Sequence, residues 1–350
     1  MTLADQFIPE WAPQDAVLIA WPTSSMDWAY ILPEVEKTYV EIAQNILRHQ
    51  ALIVLCNEAE HIRSLVGTSH PHKLILIDGL CPNDTWARDF APLSCLREGH
   101  PVIVDFGFNA WGMKFAANVD NTLSRTLCHE RRLFADNIGY VSALDFICEG
   151  GALETDGHGT LMSTGSVLWE PNRNPHIAPK DQLNRLSKEL GTEQIHVLSV
   201  PAMEGDDTDG HIDTLARFCS PDTIVYNYTD NPSDPDFEVM QAFRAEIEAL
   251  RDREGKAYRT YPIPIPSPLH DEEGNRLPAT YANFLIINDA VLVPIYRTPE
   301  DNAALAAIRP LFPDREVIGI DCRALVQQHG SLHCITMQFP KGFIHQDLLH

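Results

Sequence analysis

Apolar residues fall along this chain in short blocks separated by turn formers, not in long runs. The first block, Ala16-Val17-Leu18-Ile19-Ala20-Trp21-Pro22, is expected to be a strand. Similar strand edges recur at Ala91-Pro92-Leu93, Gly151-Ala152-Leu153, Asp213-Thr214-Leu215 and Asn283-Phe284-Leu285. The steps between them, roughly 60 to 75 residues, indicate a repeated supersecondary unit. Three of the units contain a hairpin with recognisable turn chemistry. Asp156-Gly157, Ser220-Pro221-Asp222 and Asn288-Asp289 each separate two strand-like segments. Helical stripes lie between them. Val35, Tyr39, Ile42 and Ile46 share one face of segment 34–48, with Pro33 suited to a first turn. Phe237, Met240, Ile247 and Leu250 do the same over 235–251, after a capping Ser233 or Asp234. Leu183, Leu186 and Leu190 form a shorter stripe closed by Gly191, and the Ala-rich segment 300–309 is expected to be helical. The prolines gather in loops, at 171–179 and 262–268, and no low-complexity linker divides the chain. One domain over residues 1–350, built of five repeated α/β units, is the expectation.

Charge changes this picture more than composition does. Apolar content of 44% and charged content of 21% are ordinary, but 26 basic residues face 49 acidic ones, a formal net charge of -23. Such a field favours solubility and gathers cations. It makes nucleic acid an unsuitable partner, because phosphate binding relies on Lys/Arg clusters and none is present. The first twenty residues lack a basic segment followed by an apolar one, so no signal peptide is expected. No apolar run is long enough to span a bilayer. The eight cysteines are scattered without a C-x-x-C pair, which argues against a zinc ribbon or a disulfide scaffold and for a reducing cytoplasm. Cys148 and Cys219 sit in strand-like surroundings and are expected to be buried small hydrophobes.

Six clusters carry the candidate chemistry. Ser331-Leu332-His333-Cys334-Ile335-Thr336 is expected as a short strand entered through Gly330. A lone Cys in such a strand is ordinarily core; it becomes a nucleophile where a cation lowers its pKa, and a bound guanidinium could be that cation. In Asp209-Gly210-His211-Ile212-Asp213, an extended backbone would turn Asp209, His211 and Asp213 to one face. His211 could be a structural histidine, a metal ligand lacking a convincing ligand set, or a general acid/base beside a substrate-binding carboxylate. In Asn83-Asp84-Thr85-Trp86-Ala87-Arg88-Asp89, Asp89 could pair with guanidinium nitrogens while Trp86 offers a flat wall, or Asp and Arg could simply close a loop. Glu149-Gly150-Gly151 brings a carboxylate to a strand start. Trp21-Pro22 with Asp27-Trp28, and Phe108-Asn109-Ala110-Trp111-Gly112, are aromatic anchors that wall a pocket or merely pack.

Taken in order, these clusters resemble the agmatine deiminase and bacterial peptidylarginine deiminase family. The matching elements are WP near the N-terminus, N-D-x-W-x-R-D at 83–89, F-N-A-W-G at 108–112, E-G-G at 149–151, D-T-D-G-H-x-D at 207–213, Y-x-N-F-L-I at 281–286 and H-C-I-T at 333–336. The resemblance implies a five-bladed α/β-propeller, the pentein fold, of repeated ββαβ-type units. It implies Cys334 as nucleophile, His211 as general acid/base and Glu149 as the acid that orients and charges the histidine. Asp89 and Asp213 correspond to the carboxylates that grip the guanidinium, and Trp86 to the aromatic beside the substrate. It implies no metal or organic cofactor, a small cationic guanidine substrate, and a homo-oligomer of two or more chains.

The expected reaction is hydrolytic deimination, with agmatine and water giving N-carbamoylputrescine and ammonia through a covalent Cys334 thiouronium. Peptidylarginine or another guanidine is the alternative substrate; a non-catalytic guanidine-binding or scaffold protein is the alternative class. Three departures from the family pattern bear on the substrate tail. Gln328-His329-Gly330-Ser331 stands where G-G-G-N is common, Met337-Gln338-Phe339-Pro340 where Q-Q-x-P is common, and Ala152 where Asn is common. Nothing in the sequence reads as a basic site for an α-carboxylate, unless Arg88, Arg173 or Arg217 faces the pocket.

Overall fold

The computed structural model describes residues 5–199 and 203–350. Residues 1–4 of the N-terminal stretch considered above, and 200–202 of the expected 1–350 domain, lie outside the described residues.

Five of the sheets follow one plan, an antiparallel pair extended by a parallel strand. In the first, Leu93–Arg97 pairs antiparallel with His100–Gly107, which pairs parallel with Gly139–Ile147; Gln6–Phe7 adds an edge. The second joins Glu154–Thr155, Thr160–Thr164 and Gln194–Leu198; the third joins Ala216–Ser220, Thr223–Tyr228 and Arg259–Pro264. The fourth joins Leu285–Ile286, Ala290–Ile295 and Glu316–Asp321. The fifth places Thr336–Pro340 antiparallel to Gln14–Ala20, followed in parallel by Ala51–Cys56 and Leu74–Asp78. Leu269–His270 and Arg276–Leu277 form a separate small ribbon. The chain is therefore mixed α/β. A closed ring of five blades goes beyond what strand pairing establishes.

The fifth sheet corrects the expected order of units. The strand at 16–22 was expected to open the first unit, yet it lies inside a sheet whose first strand comes from the other end of the sequence. Adjacent apolar blocks reveal strands but not which distant block supplies the pairing edge.

Each parallel pair needs a crossover, and in four of the sheets a helical stripe supplies it; in the first sheet the chain between Gly107 and Gly139 holds only short helical turns. Leu32–Leu47 carries Pro33 in its first turn and buries Val35, Tyr39, Ile42 and Ile46. Burial of each such side chain stabilises by about 1.5–3 kcal/mol. Pro179–Leu190 ends on Gly191 in the left-handed region, as expected of a helix-terminating glycine. Asp301–Ile308 realises the Ala-rich helix. Phe237–Ala249 differs at its start: its N-cap is Asp236 and makes no side-chain cap bond. The expected cap Asp234 instead accepts from the Asp236 backbone N–H and pairs with Arg276. The hairpin at Asp156-Gly157 holds by a local device: Asp156 Oδ1 accepts from the backbone N–H groups of His158 and Thr160, and Gly157 takes φ +68°. No helix among the described residues is long and apolar enough to cross a membrane.

Candidate active site

Every candidate residue lies just before the first strand of one of the five sheets. Asp89 sits in the one-turn helix Ala87–Phe90, ahead of Leu93–Arg97. Glu149 precedes the turn Gly150–Ala152, ahead of Glu154–Thr155. His211 and Asp213 flank Ile212 at the turn Ile212–Thr214, ahead of Ala216–Ser220. Cys334 lies in the turn ahead of Thr336–Pro340. The fourth sheet contributes Asn283, ahead of Leu285–Ile286. Five equivalent loop positions thus converge, which is how residues scattered over most of the sequence share one site.

Two local expectations are corrected. Ser331–Thr336 is not a strand: residues 332–335 form a turn and the strand begins at Thr336. The backbone donors there are used outside any strand ladder, Thr336 N–H bonding to the His333 carbonyl and His333 N–H to Asn283 Oδ1. Nor do Asp209, His211 and Asp213 share an extended face. Asp209 and Gly210 take φ of +70° and +94°, turning the chain so that Asp209 pairs with Arg173 at 2.8 Å and Lys114 at 3.0 Å.

The remaining side chains meet. Cys334 Sγ lies 3.4 Å from Asn283 Oδ1 and 3.9 Å from Asp213 Oδ2. His211 Nδ1 lies 3.6 Å from Asp89 Oδ1, and its Nε2 3.9 Å from Glu149 Oε2. Asp89 is fixed at both oxygens, by the Gly151 backbone N–H at 2.9 Å and the Trp111 indole at 3.0 Å. Glu149 is held through both oxygens by Arg173 Nε, at 2.9 and 3.0 Å. Gly151 makes this crowding possible. A Cβ there would stand 2.6 Å from His211 Nδ1 and 2.8 Å from Asp89 Oδ1. Both nitrogens of His211 and Asp213 Oδ1 are buried without a hydrogen-bond partner. Buried polar atoms are rarely left so, and here they are the atoms a planar polar ligand would engage.

The electrostatics divide the two aspartates. Burial pushes Asp89 upward, and the neighbouring Asp213 adds to this while His211 opposes it. Burial also pushes Asp213 upward, but the bond and charge of His333, with the charges of His211 and Arg217, together outweigh it, and the carboxyl ends below the usual range. Cys334 is held well above an ordinary thiol, first by burial and then by the charges of Asp213 and Asp89. A cation placed between those carboxylates would remove the second cause.

A cavity of about 220 Å³ reaches Cys334 and Asp89. Trp86, Trp111 and Phe115 wall it, and Asp27, Asp84 and Asp207 add carboxylates to its lining. Burial raises Asp84 and Asp207 to about 6 each, with Thr85 opposing this at Asp84 and His329 at Asp207. Gly330 backs the Trp86 ring so closely that a Cβ would lie 2.2 Å from its Cζ3. Trp28 is not in the lining; it packs against Trp86 and donates to Thr85 Oγ1. Arg88, Arg173 and Arg217 do not line the cavity either. Arg88 and Arg217 face Glu10, and Arg173 braces Glu149.

The sequence assigned no role to Asn283, His333 or Glu10, and offered Arg173 only as a receiver for an α-carboxylate. Asn283 and His333 lie inside matched motifs, so a signal existed for them. Glu10 and Arg173 enter by long-range pairing and had none.

A family model described as Porphyromonas-type peptidyl-arginine deiminase matches residues 6–340. The agmatine deiminase of Pseudomonas syringae pv. tomato is 30% identical, over 95% of this chain and 95% of that protein. A solved structure from Porphyromonas gingivalis, of a protein provisionally named an arginine deiminase, is 51% identical with a TM-score of 0.93. It covers 97% of this chain and 100% of its own. The C. jejuni agmatine deiminase, solved as a cysteine-to-serine variant with substrate bound, is 31% identical with a TM-score of 0.88, covering 97% of each chain.

Proposed function

Because the chain belongs to the Porphyromonas-type peptidyl-arginine deiminase family, we propose that it hydrolyses the guanidinium group of a small cation through Cys334. The carrying observation is the set of partnerless buried atoms, His211 Nδ1 and Nε2 and Asp213 Oδ1, gathered beside a thiol and a second carboxylate. A guanidinium is planar, cationic and rich in donors, and it satisfies that set.

Asp89 and Asp213 hold the guanidinium plane and draw its charge, which makes attack effectively intramolecular. Burial and two carboxylate charges keep Cys334 protonated; the arriving cation offsets the carboxylates, so the thiol releases its proton to solvent and the thiolate forms as substrate binds. The sulfur adds to the guanidinium carbon, and His211, charged beside Glu149, protonates the departing nitrogen. Ammonia leaves and a thiouronium remains on Cys334. Neutral His211 then takes a proton from water, whose oxygen attacks the same carbon. The C–S bond breaks, a ureido product departs and the thiolate returns.

Agmatine is the substrate this reading favours, giving N-carbamoylputrescine. Asp27, Asp84 and Asp207 suit a second positive charge, and the cavity lining contains no arginine to receive an α-carboxylate. The relatives named agmatine deiminases are hydrolases acting on C–N bonds. The family's own description and the 51% identical P. gingivalis relative favour a second reading, deimination of arginine or peptidylarginine. Ammonia release from agmatine, free arginine and an arginine peptide, with Cys334→Ser as control, separates them. Turnover of agmatine alone supports the first reading, turnover of arginine or the peptide the second, and silence on all three a guanidine-binding protein. Activity unchanged by prolonged chelation is expected, since no step uses a metal.

On the same footing we infer that residues 1–350 are one catalytic domain whose five like sheets close into the pentein ring. The family resemblance further points to a homo-oligomer, and the scattered free cysteines to a reducing cytoplasm.

A further inference from the structure

The scheme above has no step for His333, although it adjoins Cys334 and is 1% exposed. Its Nδ1 lies 2.7 Å from Asp213 Oδ2 and its Nε2 2.7 Å from Glu10 Oε2. A neutral imidazole carries one N–H, whereas two ionised carboxylates at this distance call for two donors. Glu10 is not free to turn away. Glu10 Oε1 accepts from the Ile286 backbone N–H at 2.6 Å, and its Oε2 also meets Arg217 at 2.9 Å and Arg88 at 3.5 Å. Arg217 continues to Glu154, so three buried carboxylates, Glu10, Glu154 and Asp213, surround two guanidinium groups. An imidazolium at position 333 supplies the third positive charge, and a buried charge without a partner is strongly unfavourable. On its other side Asp213 faces Cys334 and the charges of His211 and Asp89.

We propose that His333 is a permanently charged positioning residue: clamped as an imidazolium by Glu10, it keeps Asp213 ionised and leaves the unpartnered Oδ1 for the incoming guanidinium. Glu10, from the N-terminal segment, thereby becomes part of the site's electrostatics. The role rests on the deiminase reading, but the charge state can be measured without substrate.

The first test is ¹⁵N NMR of histidine-labelled protein from pH 6 to 9. Among the 15 histidines, one should keep both ring nitrogens protonated throughout, and its signal should vanish in His333→Gln. Finding no doubly protonated histidine at pH 8 overturns the proposal, whatever the substrate proves to be. In Glu10→Gln the signal should survive at pH 6 and titrate before pH 9, because His333 is no longer clamped; a signal unmoved by this change also overturns it. The second test is kinetic, on whichever guanidine the wild type turns over. His333→Gln should raise KM by about 10-fold and move the acid limb of kcat/KM upward by about one pH unit, since Asp213 would then hold its proton to higher pH. Uniformly lowered kcat with an unmoved limb and KM would mean a merely structural residue. Should His333→Gln fail to fold, Glu10→Gln carries the same comparison with a smaller shift. If no guanidine is turned over, the function reading fails while the NMR still decides the charge.

Discussion

Two histidines lie beside Cys334, each 1% exposed, and they are held in opposite ways. His333 has a carboxylate at 2.7 Å on each nitrogen, while the His211 ring has none closer than 3.6 Å and no hydrogen bond on either nitrogen. A side chain gripped at both ends is suited to fix charge, and one left loose among acids is suited to move a proton. Sequence position suggests the reverse assignment, because His333 is bonded in the chain to the cysteine. Proximity along the backbone does not confer a catalytic role; free valences in the folded site do.

The sharpest way to break this contrast is at the reacting atoms. Cys334→Ser is expected to lower kcat by about 10³-fold or more, and labelling by a haloacetamidine should disappear with it. Mass spectrometry that finds the adduct on Cys148 would reassign the nucleophile. His211→Gln should cost about 10²–10⁴-fold in kcat while leaving the melting temperature near that of the wild type, because His211 makes no bond whose loss would loosen the fold.

The two aspartates sharpen the comparison. Both Asp89→Asn and Asp213→Asn should raise KM and lower kcat together, as removal of a charge felt by substrate and transition state does. Only Asp213→Asn should also destabilise strongly, by about 3 kcal/mol in denaturant titration, because it strips the buried His333 charge of one of its two carboxylates. Equal stability losses in the two variants would show that the His333 pair is not special.

Smaller effects are expected around the cavity lining. Gly330→Ala should displace the Trp86 indole, shift the intrinsic fluorescence and raise KM several-fold with little change in kcat. The raised values of Asp84 and Asp207, about 6 each, mean that both lose their charge as pH falls through 6. KM for agmatine should therefore rise by a few-fold between pH 7 and 5, more than for a guanidine with a neutral tail. Replacing both aspartates by Asn should abolish that difference. For stability the sign runs the other way, since the folded protein binds these protons more tightly than the unfolded chain; below pH 6 these two positions favour folding.

Much was legible beforehand because it depends on short-range physics. Alternation and turn residues located the hairpins at Asp156-Gly157, Ser220-Asp222 and Asn288-Asp289, and helical spacing located the crossovers at 32–47 and 179–190. Residue chemistry in ordered motifs singled out Cys334, His211, Asp89, Asp213, Glu149 and Trp86. What failed also failed locally: two positive φ angles removed Asp209 from its expected face, and a turn stands where Cys334 was read as part of a strand.

By itself, then, the sequence determined which residue types were available, where the hairpins and helical stripes lie along the chain and the family they resemble. Only the tertiary structure decided that Thr336–Pro340 joins Gln14–Ala20, that Arg173 braces Glu149, and that Glu10 and Asp213 grip His333 from both sides. Glu10 and His333 stand 323 residues apart in the chain. Backbone hydrogen bonds and apolar burial select the strand pairing, while the charged pairs meet only once folding has taken them out of water, where their attraction must outweigh the cost of desolvation.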